Sequence, residues 1–253
     1  MINKTRVIPV LLLKNGGLVK TVKFKDPKYV GDPINAVRIF NEKEVDELAF
    51  LDIAATVSGR GPDFETLADI AGEAFMPMAY GGGLSSLDDV KRVFGLGFEK
   101  VIVNSAAYGS TNVISQAAAV FGSQSIVGCI DVKRTFFGRT ELFSTSGRKK
   151  NAVPLQKHIQ TLVDAGVGEL LLNSIDRDGT FSGYDLALIS DVSSMVSVPV
   201  VACGGAGDMV DMIKAVQAGA SAVAAGSLFI FYGPHKAVLI NYPERSELAA
   251  RLP

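Results

Sequence analysis

The sequence has no tryptophan, and only two histidines and two cysteines occur among its 253 residues. With only His158 and His235, neither a histidine-based metal centre nor a Ser-His triad is expected. We therefore predict no bound metal and no cofactor, and we place His158 on a surface helix. Cys129 and Cys203 lie in apolar stretches, which is typical of reduced core cysteines in a cytoplasmic protein and not of a disulfide.

An excess of charge and long apolar runs are also absent. The formal net charge is −1, so the overall charge gives no electrostatic reason to bind nucleic acid or an anionic membrane. No apolar run reaches membrane-spanning length, and the run at residues 7–13 is too short for a signal peptide. We expect a cytoplasmic protein without a nucleic-acid or membrane partner.

What the chain does contain is an internal repeat. The stretch 198–231 reads as strand, glycine pair, helix, strand and glycine turn, and the first half of the chain repeats this order. Three landmarks recur at one constant interval of 122 residues, namely Gly83 and Gly205, Gly97 and Gly219, and Ser105 and Ser227. Such an offset indicates duplication. The sequence therefore predicts one domain over residues 1–253, an α/β fold with a single (β/α)8 TIM barrel built from two half-barrels.

The two glycine loops predict an anion site. Glycines after strands let backbone N–H groups approach a ligand, and a following helix N-terminus favours negative charge. Both loops fall on the carboxyl rim of the barrel, so the expected ligand is a small molecule with a phosphate at each end. The lysine-rich stretch 13–33 is predicted as a long rim loop. Its lysines, Lys20 among them, either cover that ligand as a mobile flap or form a solvated surface.

Asp131 is the candidate catalytic acid or base. It follows the apolar strand 126–130 and reaches the same rim, where a carboxylate is placed for proton transfer; the alternative is a structural cap. Asp52 ends the second strand on that rim. Residues 174–180 bring two acids, an arginine and a glycine into one rim loop, which favours proton transfer and phosphate binding over a metal loop.

Several motifs together resemble the HisF family, the cyclase subunit of imidazole glycerol phosphate synthase. They are FGSQ (121–124), IDVKR (130–134), SIDRDGT (174–180), SGYD (182–185) and CGGAG (203–207), and the similarity runs from residue 6 to about residue 231. The resemblance implies a (β/α)8 barrel that binds a bisphosphorylated aminoimidazole carboxamide ribonucleotide. It also implies ammonia that crosses the barrel from a docked glutaminase, and catalysis by one aspartate on strand 1 and another on strand 5.

The family's functional positions carry over onto this sequence in three groups. The phosphate and substrate contacts implied by the resemblance are Lys20, Gly82, Gly83, Asn104, Ser105, Asp178, Gly179, Gly204, Gly205, Gly226 and Ser227. The implied ammonia gate consists of four charged residues at strand starts, Arg6, Glu47, Lys100 and Glu169. Glu99 and Gln124 match positions near the glutaminase docking face.

The sequence also departs from the family. Asp131 is the strand 5 aspartate, but Leu12 occupies the position of the strand 1 aspartate. The internal repeat agrees, because Leu12 and Lys14 precede Asp131 and Lys133 by the same interval of 119 residues. Cys203 replaces a residue that is usually serine in the family, and the tail from Tyr232 onward is unlike the expected terminal helix. Since leucine cannot transfer a proton, we expect weak or absent cyclase activity.

These features favour a HisF paralogue that conducts ammonia as the synthase half of a glutamine amidotransferase. Its expected partner is a HisH-like glutaminase. The departures resemble a subgroup associated with glycosyl amidation in surface-polysaccharide pathways, where a separate sugar-amidating enzyme receives the ammonia. Two alternatives stay open: a working histidine-pathway cyclase in which Asp52 or Asp178 covers for Leu12, and a non-catalytic subunit that activates the glutaminase.

Overall fold

Short apolar segments of the chain form a closed barrel of eight parallel strands in the computed structural model, which describes residues 5–252. In chain order the strands are β1 (Arg6–Lys14), β2 (Gly17–Val22), β3 (Lys25–Gly31), β4 (Leu48–Asp52), β5 (Met78–Gly81), β6 (Lys100–Val103), β7 (Ile126–Arg134), β8 (Thr140–Ser144), β9 (Lys149–Asn151), β10 (Glu169–Ser174), β11 (Val200–Cys203), β12 (Ala222–Ala225), β13 (Phe231–Tyr232) and β14 (Ala237–Val238). The barrel order is β1, β4, β5, β6, β7, β10, β11 and β12, and β12 pairs with β1 to close it. The predicted (β/α)8 barrel is confirmed.

Helices follow the barrel strands and pack on the outside. They are α1 (Pro33–Glu42), α2 (Phe64–Glu73), α3 (Leu87–Gly95), α4 (Asn112–Phe121), α5 (Leu155–Asp164), α6 (Leu186–Met195), α7 (Met209–Gln217), α8 (Ser227–Ile230) and α9 (Arg245–Arg251). Five of them begin after an Asp or Ser whose side chain accepts a hydrogen bond from the third helical residue, which satisfies a free N–H group. These caps fix where each helix leaves the rim.

Side chains of the barrel strands alternate between two apolar layers. The outer layer packs between the strands and the helices and includes Phe40, Phe50 and Ile130, all fully buried. The inner layer fills the barrel itself with small or branched residues, namely Ile8, Val10, Ala49, Ala79, Ile102, Val127, Cys129, Leu171, Val201, Cys203, Ala222 and Ala224. Leu12 and Leu51 pack against its upper edge. The barrel interior is therefore apolar along most of its length.

The two half-barrels use equivalent positions in the same way. Gly97 and Gly219 both have positive φ, at 105° and 108°. Ser105 and Ser227 each begin a short helical turn after a barrel strand. The repeat found in the sequence therefore has a structural counterpart.

The lysine-rich stretch was wrongly predicted as a loop. It forms the strands β2 and β3, and β2 pairs with the extended end of β1. The reason is that residues 18–21 of β2 are all buried although one of them is a lysine, and three of the four are apolar or β-branched residues that suit a strand packed beside β1. Lys20 is buried, whereas Lys23, Lys25 and Lys28 are exposed. The solvated surface therefore describes these three lysines but not Lys20.

His158 was also wrongly predicted at the surface. It lies on α5, but only 2% of it is exposed, because it shares the inner face of that helix with Ile159 and Leu162. Its ring stacks on Tyr108 with 4.1 Å between ring centroids. Burial lowers the pKa of His158 to about 4, so the ring is neutral at pH 7.

Two further segments lie outside the repeating barrel units. Residues 134–151 contain the β8–β9 hairpin, which extends the sheet from β7. The tail forms a small β13–β14 hairpin and ends in α9, and the Tyr242 hydroxyl donates to the Val7 carbonyl oxygen at 2.9 Å. Within residues 5–252, no helix has both the length and the apolar composition needed to cross a membrane.

Candidate active cavity and the charged ring opposite

One cavity at the carboxyl ends of the barrel strands brings the predicted rim residues together. Asp131, Leu12 and every residue of the predicted phosphate and substrate set line it: Lys20, Gly82, Gly83, Asn104, Ser105, Asp178, Gly179, Gly204, Gly205, Gly226 and Ser227. Both halves of the barrel therefore contribute to a single site. The roles of these residues toward a ligand stay predictions.

Asp131 lies deep in this cavity and has polar neighbours on both sides. Its carboxylate accepts hydrogen bonds from Asn104 Nδ2 at 3.1 Å and from Asn173 Nδ2 at 3.4 Å, and the Cys129 thiol lies 3.7 Å away. Burial raises the pKa of Asp131 to about 7, against the lowering effect of the hydrogen bonds from Cys129 and Asn173. A carboxyl group with this pKa can accept or donate a proton near neutral pH.

Position 12 offers no second ionisable group. The Leu12 side chain belongs to the apolar interior, and its strand neighbour in register is Leu51. Strand β1 therefore presents an apolar wall to the cavity.

Two other carboxylates line the cavity, and each already has partners. Asp52 is 7% exposed, accepts the N–H groups of Ala54 and Ala55 at 2.9 and 3.0 Å, and pairs with Arg60 at 2.7 Å. These contacts hold the turn after β4. Asp178 accepts the Thr21 hydroxyl at 2.9 Å, and burial raises its pKa. Of the two, Asp178 is therefore the better candidate to exchange a proton.

Lys20 is a buried cation beside Asp178. It is 5% exposed, donates to the Val10 carbonyl oxygen, and lies so close to Gly226 that a Cβ there would meet its Nζ at 2.6 Å. Burial lowers the pKa of Lys20 to about 8, although Asp178 acts in the opposite direction. The β2–β3 hairpin therefore places one positive charge directly over a predicted anion loop.

Close backbone packing requires glycine at the predicted cradles. A Cβ at Gly82, Gly83 or Gly204 would meet a backbone oxygen at 2.7 Å, and all three glycines have positive φ. This geometry explains the residue type without a ligand. Anion binding by their N–H groups stays a prediction.

The sequence reasoning missed three groups of the cavity. Asn173 lies level with Asp131 across the β7–β10 pairing, and a polar residue ending an otherwise apolar strand was the available signal. Thr21 lies in the stretch that was interpreted as a loop. The interval between Asp52 and Arg60 matches no motif, so the sequence did not predict that these two residues pair. Among residues 5–252, no group of three or more His, Cys, Asp or Glu side chains is arranged to hold a metal ion, and both cysteines are free and buried.

At the opposite end of the barrel, four charged side chains form a closed ring. Arg6 bridges Glu47 and Glu169, and Lys100 Nζ lies 2.9 Å from a carboxylate oxygen of each glutamate. Cations and anions alternate, so the ring has no net charge, and both glutamates are only 5% exposed. Above it, the apolar interior leads to the cavity.

Glu99 and Gln124 are exposed at the same end of the barrel as this ring. Glu99 immediately precedes β6, and Gln124 lies just before β7. They are therefore separated from the cavity by the length of the barrel. Their contact with a partner stays a prediction.

The fold and the position of the cavity define a (β/α)8-barrel protein with its candidate site at the carboxyl ends of the strands. Residues 6–235 match the family model described as "Histidine biosynthesis protein". The chain is 55% identical over 247 residues to a Pseudomonas aeruginosa protein named "Putative imidazole glycerol phosphate synthase subunit hisF2", covering 97% of this chain and 98% of the relative. It is 44% identical over 229 residues to the imidazole glycerol phosphate synthase subunit HisF of Hyphomonas neptunium, covering 90% of each. The chain belongs to the histidine biosynthesis protein family and is a HisF-like synthase chain.

Proposed function

We propose that this chain is the ammonia-conducting synthase subunit of a glutamine amidotransferase and works in the cytoplasm. A HisH-type glutaminase would dock at the end that carries the charged ring, with Glu99 and Gln124 in the contact. Ammonia would pass the ring of Arg6, Glu47, Lys100 and Glu169, cross the apolar interior and reach the cavity. An apolar passage suits ammonia because the neutral molecule loses little solvation there, whereas ammonium would lose much more.

The cavity would bind a phosphorylated small molecule. Lys20 places a buried positive charge at one half of the cavity, and the glycine turns after β5, β11 and β12, together with the Asn104–Ser105 turn after β6, would supply backbone N–H groups. Asp131 would be the one proton-transfer group of the ancestral pair that remains. The acceptor of the ammonia would be a separate sugar-amidating enzyme of a surface-polysaccharide pathway.

A single observation carries this proposal. The ring, the apolar interior and the cavity are all present, but β1 presents Leu12 where a second acid would have to stand. General acid–base groups typically contribute about 10²–10⁴-fold to a rate. A chain with Asp131 alone should therefore be a poor cyclase, although it keeps the charged ring, the apolar interior and the glycine turns of the cavity.

The decisive experiment separates cyclisation from ammonia supply. The purified chain is given the bisphosphorylated aminoimidazole carboxamide ribonucleotide with saturating ammonium salt and no glutaminase, and the imidazole product is sought by mass spectrometry. We expect thermal stabilisation by the ligand but no product. Turnover comparable with that of an ordinary cyclase would reject the proposal.

The glutaminase is tested separately. Mixing the chain with a HisH-type glutaminase should raise the rate of glutamine hydrolysis. Glutaminase activity that does not change on mixing would count against every function with a glutaminase partner, including the non-catalytic activating subunit.

The second candidate function is a working cyclase. One specific observation favours it, namely that Asp178 is a partly buried carboxylate of raised pKa in the same cavity as Asp131. Asp52 is a weaker substitute because Arg60 and two backbone N–H groups already engage it. If the ammonium assay gives product, loss of that product in Asp178→Asn but not in Asp52→Asn would identify the substitute acid.

A further inference from the structure

The turn between β7 and β8 holds two phenylalanines in solvent. Phe136 is 97% exposed and Phe137 is 86% exposed, and their rings meet edge to face with 5.5 Å between centroids. Neither the barrel core nor the cavity uses these rings. We call this pair the Phe136–Phe137 tip. Adjacent, fully exposed aromatic side chains are a feature of surfaces that bind something else.

The tip is held in place and does not hang loosely. Within the turn, Thr135 N–H donates to the Arg139 carbonyl oxygen at 2.8 Å, and Gly138 N–H donates to that of Thr135 at 2.9 Å. At its base, Arg134 Nε donates to Asp185 at 2.6 Å. Because the backbone of the turn is already hydrogen-bonded, binding through the tip would cost little further backbone entropy.

The hairpin that carries the tip has an excess of basic residues along its length. Residues 133–150 contain six basic residues and one acidic residue, whereas the whole chain has a net charge of −1. Five of the basic residues are exposed, namely Lys133, Arg139, Arg148, Lys149 and Lys150. The near-neutral total therefore conceals a positive surface, which would attract an acidic partner.

The tip projects from the carboxyl end of β7, the strand that carries Asp131, so it lies at the end of the barrel away from the charged ring. The β8–β9 turn, at the other end of β8 from the tip, contacts the cavity loops through Thr145 N–H to Ser105 Oγ at 2.9 Å and Ser146 Oγ to the Ile53 carbonyl oxygen at 2.8 Å. Ser146 also lines the cavity. The hairpin therefore runs from the cavity wall to the tip, and a molecule that contacted it along this length would cover the cavity opening.

We propose that the Phe136–Phe137 tip docks a second protein, different from the glutaminase, through an apolar pocket with an acidic rim. This inference rests on the proposed function, because ammonia that leaves the cavity for a separate acceptor enzyme is lost to water unless that enzyme covers the mouth. The acceptor enzyme is the occupant that this position favours. A bilayer fits less well, since it offers no acceptor for the ammonia that leaves the cavity.

The test begins with a photo-crosslinking analogue of phenylalanine at position 137, in cells that make the chain naturally. The protein recovered in the adduct is then purified, and its Kd for the chain is measured by fluorescence anisotropy. We expect Phe136→Ser with Phe137→Ser to weaken this binding by about tenfold or more, as for other aromatic anchors of interfaces. Added salt should weaken it further.

Phe75→Ser is the matched control. Phe75 is 90% exposed but lies in the loop between α2 and β5, at the end that carries the ring. It should leave the Kd for the recovered protein unchanged. The double variant, in turn, should activate the glutaminase as well as the unchanged chain does.

Several outcomes would overturn the inference. They are the absence of any adduct, an adduct only with the glutaminase or a second copy of the chain, equal Kd values for the double variant and the unchanged chain, and binding of the tip to phosphatidylglycerol vesicles in place of a protein. Failure of the proposed function looks different, because the unchanged chain would then fail to activate the glutaminase whatever the tip binds.

Discussion

Restoring an acid at position 12 is the most direct perturbation of the cavity. In Leu12→Asp, a carboxyl group would enter the cavity from β1, while Asp131 remains on β7. If the missing acid limits cyclisation, the variant should gain about 10²–10⁴-fold in the ammonium-dependent cyclase rate over the unchanged chain. The mouth of the cavity admits water, so the new carboxyl group need not be fully desolvated.

The substitution also has a cost in stability. Leu12 packs against the apolar interior and is partly buried, so losing its side chain should cost about 2 kcal/mol of unfolding free energy. Apolar neighbours would raise the pKa of the new carboxyl group, as burial does for Asp131. We therefore expect the gain in rate to appear in a protein with a lower denaturation midpoint.

Leu51→Asp is the matched control. Leu51 pairs with Leu12 in register, lines the same cavity and packs against the same interior. The Leu51→Asp variant should lose a similar amount of stability and gain no cyclase activity, because its carboxyl group would enter the cavity from β4 and not from β1. Steady-state production of the imidazole product, with urea unfolding of each variant, gives both quantities. The reasoning fails if a folded, ligand-binding Leu12→Asp shows no gain, or if both variants gain equally.

Three further predictions concern buried charges. Asp131→Asn should flatten the pH dependence of stability. In the unchanged chain the folded pKa of about 7 lies above the ordinary value of 3.8, so the folded protein binds an extra proton and loses stability as pH rises between these values. The loss should reach about 4 kcal/mol, and calorimetry across that pH range would detect it. Lys20→Met should weaken binding of inorganic phosphate in the cavity, and the unchanged chain should itself bind phosphate less well as pH rises past about 8. Equal phosphate affinities of the variant and the unchanged chain in calorimetric titration would exclude Lys20 from the site. Glu169→Gln should cost about 3–5 kcal/mol, because Arg6 and Lys100 would then share one glutamate, whereas Glu73→Gln at an exposed pair with Arg38 should change the urea midpoint little.

Much of the fold follows from the sequence because the same unit occurs twice. Landmarks such as Gly97 and Gly219 recur at one interval, and a repeat constrains topology more strongly than any single motif does. The cavity residues were predictable for a related reason. The carboxyl ends of parallel strands meet at one rim, so residues such as Asp131 and Asp178 converge although they are distant in the chain.

The errors have physical causes as well. The lysines obscured the strands β2 and β3, because charged residues are uncommon in strands, whereas here Lys20 is buried and β3 is largely exposed. His158 was misplaced because histidine is often exposed, whereas here its ring is stacked on Tyr108. The Asp52–Arg60 pair depends on the shape of one turn, which spacing alone does not specify.

The two ends of this barrel differ in what a substitution costs. The ring is a closed set of two buried glutamates and two partly buried cations, so removal of any member leaves a charged partner without its full compensation. Position 12 is the opposite case, because a leucine there extends the apolar contacts of Leu51 and avoids a second buried carboxylate near Asp131. Leucine at position 12 should therefore favour the stability of the barrel, whereas loss of a ring residue should reduce it. A chain under these constraints can carry an apolar residue at this position of its cavity and still keep the ring and the apolar interior that join the two ends.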